Sequence, residues 1–195
     1  MTIHDSHPFA DPDPDPVRRL RGRLGGAVSL WAAGEGALRD GLTVTSQMLA
    51  HGEEPSLLAL LDPDADLTDT LLDTGRAVVS LLAWEHRYLA DAFAGTAPAP
   101  GGPFRLADFE QTEWGPRLLS APTWAGVELV GRREVGWSLE VTCRLAHVEV
   151  GDDDGPGGAL GHRRGRYLRL GAGPGQGSGQ GSAQGSAQGS ARGSE

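Results

Sequence analysis

The chain has 195 residues, a formal charge of −9 and a sequence pI near 5.1. That length suits one domain with tails, and the acidic balance argues against non-specific nucleic-acid binding, which depends on cationic contacts to phosphate. A single cysteine excludes an internal disulfide framework, and no apolar run approaches the roughly 20 residues that span a bilayer. All 17 basic residues are arginine. Between Val17 and Leu170, 16 arginines face 21 acidic residues, a balance of −5. The polar, acidic start from Met1 to Pro16 has no secretory-signal pattern, so a cytoplasmic protein that neither crosses nor binds membrane is expected.

In chain order, Asp11-Pro12-Asp13-Pro14-Asp15-Pro16 comes first. Each proline lacks an amide donor and restricts the residue before it, and the aspartates repel one another. Residues 1–16 therefore read as an extended acidic arm. A strand over Ala27–Ala33 follows, then the alternating run Leu42–Leu49. Leu42, Val44, Ser46 and Met48 share one face of that run, and Thr43, Thr45 and Gln47 share the other. The threonines suit either a polar ligand or a plain solvent face, since Thr is a good strand former. Ser56–Leu61 is apolar almost throughout, as in a strand covered on both sides.

Asp62 as N-cap, Pro63 at the first helical position and Gly75 past the end frame a first helix, with Leu67, Leu71 and Leu72 as its apolar stripe. Ala77–Ala83 reads as a strand. Glu85 to Ala94 reads as a second helix, with Tyr88, Leu89, Ala92 and Phe93 on one side. Phe104–Pro122 is expected to wrap irregularly. Trp124–Glu134, Val135–Val150 and Ala159–Leu170 complete seven strands. The repeats of residues 171–195 have too little apolar area to offset their ordering entropy and read as a flexible tail. Residues 17–170 remain as the folded domain: mainly β, an antiparallel Greek-key barrel with two short helices.

Four blocks stand in a fixed order: Gly41-Leu42-Thr43-Val44-Thr45-Ser46; Pro55 to Leu61; Ala77-Val78-Val79-Ser80-Leu81-Leu82 with Leu89 to Gly95; and His162-Arg163-Arg164-Gly165-Arg166-Tyr167. Together they resemble the flavin reductase-like family of FMN-binding split barrels. The likeness covers roughly Val17 to Leu170 and rests on order and spacing, not on one motif. It implies a split β-barrel that forms a homodimer, with FMN or FAD between the subunits and NAD(P)H as hydride donor. It also implies a partner monooxygenase that receives reduced flavin. The implied cofactor contacts are Thr43, Val44, Thr45 and Ser46, with Leu61 and Asp62 toward the ribityl chain and phosphate. Ser80 stands where many relatives have Asn. His162 is the candidate catalytic residue, and Arg163 and Arg166, with Arg39, are candidates for the phosphate.

Two departures from the family pattern carry weight. Many relatives place Ser, Asn, Lys or Arg after the second strand, where this chain has Asp62-Pro63-Asp64-Ala65-Asp66. Three carboxylates in that turn repel a phosphate, although acidic residues near a helix N-terminus also favour the helix itself. Relatives often carry Gly-Asp-His after Val135, where this chain reads Gly136-Trp137-Ser138. The imidazole is gone, and Trp137 suits either stacking on a ring or packing. These departures keep a second reading open: a flavin-binding split barrel without reductase activity. A cofactor-free interaction domain is a third. Cys143 shares parity with Leu139, Val141 and Leu145 and reads as a core thiol. His51 falls in a turn, His147 stands alone, and no His/Cys/carboxylate spacing fits a metal site. Arg163, Arg164, Arg166 and Arg169 form the one concentrated basic patch, suited to an anion or to edge protection.

Overall fold

In the computed structural model, which describes residues 15–151 and 157–171, the alternating run that reads as one strand is broken in two. β3 (Asp40–Val44) and β4 (Gln47–Ala50) are joined by Thr45 and Ser46 alone, yet they lie at opposite edges of one sheet. Between them run β2 (Ser29–Ala33), β6 (Arg76–Leu81), β9 (Trp124–Val135), β10 (Ser138–Glu149) and β5 (Ser56–Leu61), in the order β3-β2-β6-β9-β10-β5-β4. Every pairing is antiparallel. A two-residue link between the edge strands is possible only if the sheet curls round until its edges meet. The expected mainly β, antiparallel split barrel is the architecture that forms.

Inside the curl, Gln47 Oε1 accepts from Ser29 Oγ (2.8 Å) and from the Trp31 indole N–H (3.0 Å). Ser46 O accepts from Leu60 N at 2.9 Å. The break at the link shifts side-chain parity. Gln47 points inward and Met48 is 69% exposed, the reverse of what one continuous strand requires. Trp31, Val44, Ala59, Leu61, Ala77, Val79, Val127, Val141 and Cys143 fill the barrel, and Leu67 and Leu71 of α2 (Asp66–Thr74) pack against them. The Cys143 thiol is as quiet as its parity suggests, since burial pushes its pKa up to about 12.

A second core lies outside the barrel wall. Val28, Leu30, Leu82 and Leu160 meet Leu89, Ala90 and Phe93 of α3 (Arg87–Phe93) there. Tyr88 does not join them: it is 52% exposed. Phe93, Phe104 and Phe109 pack edge to face with centroids 4.9–6.1 Å apart. The segment expected to be irregular carries a small hairpin of β7 (Phe109–Gln111) and β8 (Pro116–Leu118). A three-stranded sheet of β1 (Gly26–Ala27), β11 (Ala159–Arg163) and β12 (Arg166–Leu170) joins the barrel through Val28 and Leu82. Their backbones exchange bonds with each other and with Leu160 at 2.7–3.0 Å.

Three boundaries differ from expectation for local reasons. Asp15 and Pro16, expected to end the extended arm, instead begin α1 (Pro16–Leu24): Asp15 Oδ1 accepts from Val17 N (2.9 Å), with proline at the first helical position. The described residues thus form three α-helices, not two, while residues 1–14 of the arm lie outside the described residues, as do residues 172–195 of the tail. α2 starts at Asp66 instead of Pro63 because Asp62 forms its own turn, accepting from Asp64 N at 3.0 Å. Gly75 ends that helix as expected, at φ +70°. The expected strand Ala159–Leu170 folds back on itself at Arg164-Gly165, both left-handed (φ 55° and 72°), the signature of a two-residue hairpin turn.

The His86 ring closes the turn into α3. Its Nδ1 accepts from Ala83 N (3.0 Å), and Nε2 lies 2.9 Å from Ser120 Oγ. Burial lowers its pKa, outweighing the opposing effect of Glu85. Protonating Nδ1 would also remove the acceptor that Ala83 uses.

Two outcomes are expected. Gln47→Ala leaves the buried Trp31 donor without its partner, while Ser29 Oγ keeps Val44 O at 3.2 Å, and should destabilise by about 1–3 kcal/mol, read by denaturant unfolding. The folded chain also binds the His86 proton less readily than the unfolded chain. Stability should therefore fall as pH drops below the unfolded value near 6.5, and level off beneath the lowered folded pKa. Melts between pH 7.5 and 5.5 measure this, and His86→Asn should flatten the decline.

Candidate functional site

The place where the barrel edges meet collects most of the residues singled out above. The Thr45–Ser46 link has left the strand ladder, and neither hydroxyl is engaged by another described residue. On one side stands β1, where a side chain at Gly26 would lie 2.8 Å from Thr45 O, so only glycine lets the strands come this close. Gly26 pairs with His162 of β11, which brings that ring to the link. On the other side, Ser46 O holds Leu60, and Leu61 and Asp62 follow directly.

Thr43 and Thr45 serve different ends. Thr43 Oγ1 donates to Ala90 O at 2.7 Å and pins α3 to β3, so that hydroxyl is committed within the fold. Val44 is buried in the barrel core, which leaves its backbone as the part available to a ligand. Ser80 is not brought to the link. It is 1% exposed, two strands away in the row Thr43–Leu30–Ser80, on the wall that α3 covers.

His162 has company that the sequence reading missed. Its ring meets Tyr167 edge to face at 5.6 Å, and the Tyr167 hydroxyl donates to Asp91 Oδ1 at 2.8 Å. Burial lowers the His162 pKa, and the Asp91 carboxylate works against that. Burial, then the bond to Asp91, raises the Tyr167 pKa and keeps it a donor. Asp91 and Tyr167 lie within quoted motifs, but nothing in their spacing says that a helix residue and a strand residue 76 positions apart will bond.

The charges are divided between the two sides. Arg163 and Arg166 flank the tip of the β11–β12 hairpin, both exposed. Arg163 Nε donates to Arg23 O (3.0 Å), and Arg166 makes no hydrogen bond or ion pair with another described residue. Asp62, Asp64 and Asp66 are all exposed on the opposite side of the link. Arg39 lies over the Phe104 ring (4.5 Å), away from both groups.

Two further expectations change. Trp137 is no packing anchor: it is 97% exposed at the tip of the β9–β10 hairpin. His147, which reads as isolated, is stacked on Trp114 (5.3 Å) and tilted against Trp124 (4.5 Å), a structural cluster remote from the link in sheet order. Among the described residues, no group of three or more His, Cys, Asp or Glu could hold a metal ion, and no helix is long and apolar enough to cross a membrane.

A flavin needs neutral donors along the polar edge of a flat ring, an apolar neighbour and a cation for its phosphate. The Leu61 side chain is buried in the barrel core, which leaves its backbone at the link, but the free hydroxyls of Thr45 and Ser46, the exposed Leu60 of β5 and the hairpin arginines meet those needs. The residues present therefore fit the group that the resemblance implies.

Comparison with known proteins agrees in fold. The reductase component of 4-hydroxyphenylacetate 3-monooxygenase from Pseudomonas aeruginosa is 24% identical over 146 residues, covering 72% of this chain and 84% of that protein. The NADH:FAD oxidoreductase of Streptomyces globisporus superposes with a TM-score of 0.71 at 20% identity, over 81% of this chain and 93% of that one. The styrene monooxygenase flavin reductase of Pseudomonas putida gives 0.68 at 19% identity, over 79% and 96%. The model of the flavin reductase like domain matches residues 21–171, and this chain belongs to that family.

Proposed function

We propose that the chain is an NAD(P)H-dependent flavin reductase that binds FMN or FAD at the Thr45–Ser46 link, within a homodimer, and passes reduced flavin to a partner monooxygenase. One observation carries this reading. The only two residues joining the barrel edges bear unengaged hydroxyls and stand between His162 and Leu61–Asp62. Family membership supports the chemistry, and a relative that is the reductase component of a monooxygenase supports the partner. Met48, Leu49 and Leu60 are exposed apolar side chains on the strands beside the link, which supports a second copy covering that face.

Bound flavin supplies the hydride acceptor. The chain supplies position and polarity. Thr45 and Ser46 donate to the polar edge of the ring, the exposed Leu60 side chain lies against it, and the backbones of Val44 and Leu61, whose side chains are buried in the barrel, continue the edge. Thr43 acts at one remove by holding α3. The division of charge orients the ligand: its phosphate belongs with Arg163 and Arg166, away from Asp62, Asp64 and Asp66. His162 holds a proton beside the link. Thr45, Ser46 and His162 would act on a ring that both subunits shield from water.

The second reading, flavin binding without reductase activity, is favoured by Ser138, which opens β10 directly after the exposed Trp137 and supplies no imidazole. One assay separates the two. The reductase reading expects oxidation of NADH or NADPH that depends on added FMN or FAD, from a protein of dimeric native mass. A flavin-loaded protein that dithionite bleaches, while neither pyridine nucleotide does, establishes the second reading instead.

The two threonines should also separate. Thr45→Val should weaken flavin affinity roughly fivefold, from the loss of about 1 kcal/mol of hydrogen bonding, with an unchanged Tm. Thr43→Val should cost about 1 kcal/mol of stability and change affinity less. Fluorescence titration of flavin and thermal melts measure both.

A further inference from the structure

We propose that Asp91 and Tyr167 are positioning residues for His162, clamping its ring beside the Thr45–Ser46 link; this rests on the reductase reading and extends it to two residues outside the expected site. The clamp is built from three elements. α3 supplies Asp91 and is fixed to the barrel one residue earlier, where Ala90 O accepts from Thr43 Oγ1 at 2.7 Å. β12 supplies Tyr167, whose hydroxyl donates to Asp91 Oδ1 at 2.8 Å. β11 supplies His162, directly opposite Tyr167 in register, with the rings edge to face at 5.6 Å. β1 closes the fourth side with Gly26, opposite His162 and against Thr45 O.

The other charged groups nearby are directed elsewhere: Arg169, on the His162 face of the hairpin, lies over the Trp84 ring at 4.8 Å, and Arg166 is paired with Arg163 on the opposite face. Glu85 lies 3.8 Å from His86. Arg163 alternates to the other face of β11 and donates to Arg23 O of α1. β1 brings only Gly26 and Ala27. Asp91 is thus the carboxylate left to act on His162, and it opposes the effect of burial on that ring. Oxidation of NAD(P)H by a flavin takes up one proton with each hydride to give the dihydroflavin and NAD(P)+. A half-buried imidazole whose proton affinity, lowered by burial, is partly restored by a fixed carboxylate suits that demand. Tyr167, held as a donor, fixes the carboxylate while its own ring packs on the imidazole.

NMR titration of the His162 ring in flavin-free protein tests the clamp apart from catalysis. Asp91→Asn, in which the amide oxygen can still accept from Tyr167, should move the His162 midpoint to lower pH. The alkaline limb of kcat/KM should move the same way, with kcat falling roughly tenfold, a fraction of what a positioned acid supplies. Tyr167→Phe keeps the charge but frees the carboxylate. It should lower kcat while leaving the midpoint above that of Asp91→Asn, and it decides the matter if melts show that Asp91→Asn is unfolded. A wild-type midpoint in Asp91→Asn, or wild-type turnover in Tyr167→Phe, overturns the proposal. An inactive wild-type enzyme overturns the reductase reading instead, and the titration still reads the clamp.

Discussion

The barrel depends on a single amide oxygen. Gln47 Oε1 takes hydrogen bonds from Ser29 and Trp31 of β2, next to one edge of the sheet, while Gln47 itself belongs to β4 at the other edge. A curled sheet has unpaired edges that ordinarily need cover. Here the edges are consecutive in the chain, and a buried acceptor holds them together from inside. Trp31 is fully buried, so its indole donor has no water to fall back on, and the closed arrangement is the one that satisfies it. Closure also lifts Thr45 and Ser46 out of the ladder, so their hydroxyls stay free at the surface. The same contact that closes the barrel thereby frees the hydroxyls of the candidate site.

α3 carries that local arrangement outward. It lies on the outer wall over Leu30 and Leu82 and is tied to two different sheets by polar contacts one residue apart, Ala90 to Thr43 and Asp91 to Tyr167. Apolar burial sets how strongly the helix holds, and the two hydrogen bonds set its rotation and height. Because one bond reaches the barrel and the other reaches the small sheet with His162, the helix fixes how the two sheets stand at the candidate site. Gly41 fits the same design, since a side chain there would run into Phe93 at 2.5 Å.

Much of this was legible in the chain. Apolar and β-branched runs bounded by turn residues marked β5, β6, β9 and β10 closely, even though two bulges interrupt the β9–β10 pairing. The helix ending at Gly75 and the core role of Cys143 followed from local chemistry. Other features were hidden for physical reasons. The run Leu42–Leu49 alternates without interruption in sequence, and only the change of sheet edge at Thr45–Ser46 reverses its faces. Asp62 resembles a helix cap but spends its carboxylate on its own turn. Thr43 and Thr45 look equivalent, yet a helix from another part of the chain claims one hydroxyl and leaves the other. Ser80 sits in a family block, but α3 covers the wall it occupies.

What the residues determine unaided is what depends on neighbours a few positions away: strand periods, turn glycines, the arginine-only basic set and the order of blocks that marks the family. Side-chain parity and local backbone preference are short-range properties, so they can be read along the chain. Tertiary structure alone decided which hydroxyl is free, which carboxylate bonds the tyrosine packed on His162, and that Gln47 is a barrel residue and not a surface one. Those outcomes depend on which distant segments become neighbours when the sheet curls, and no local pattern encodes that pairing.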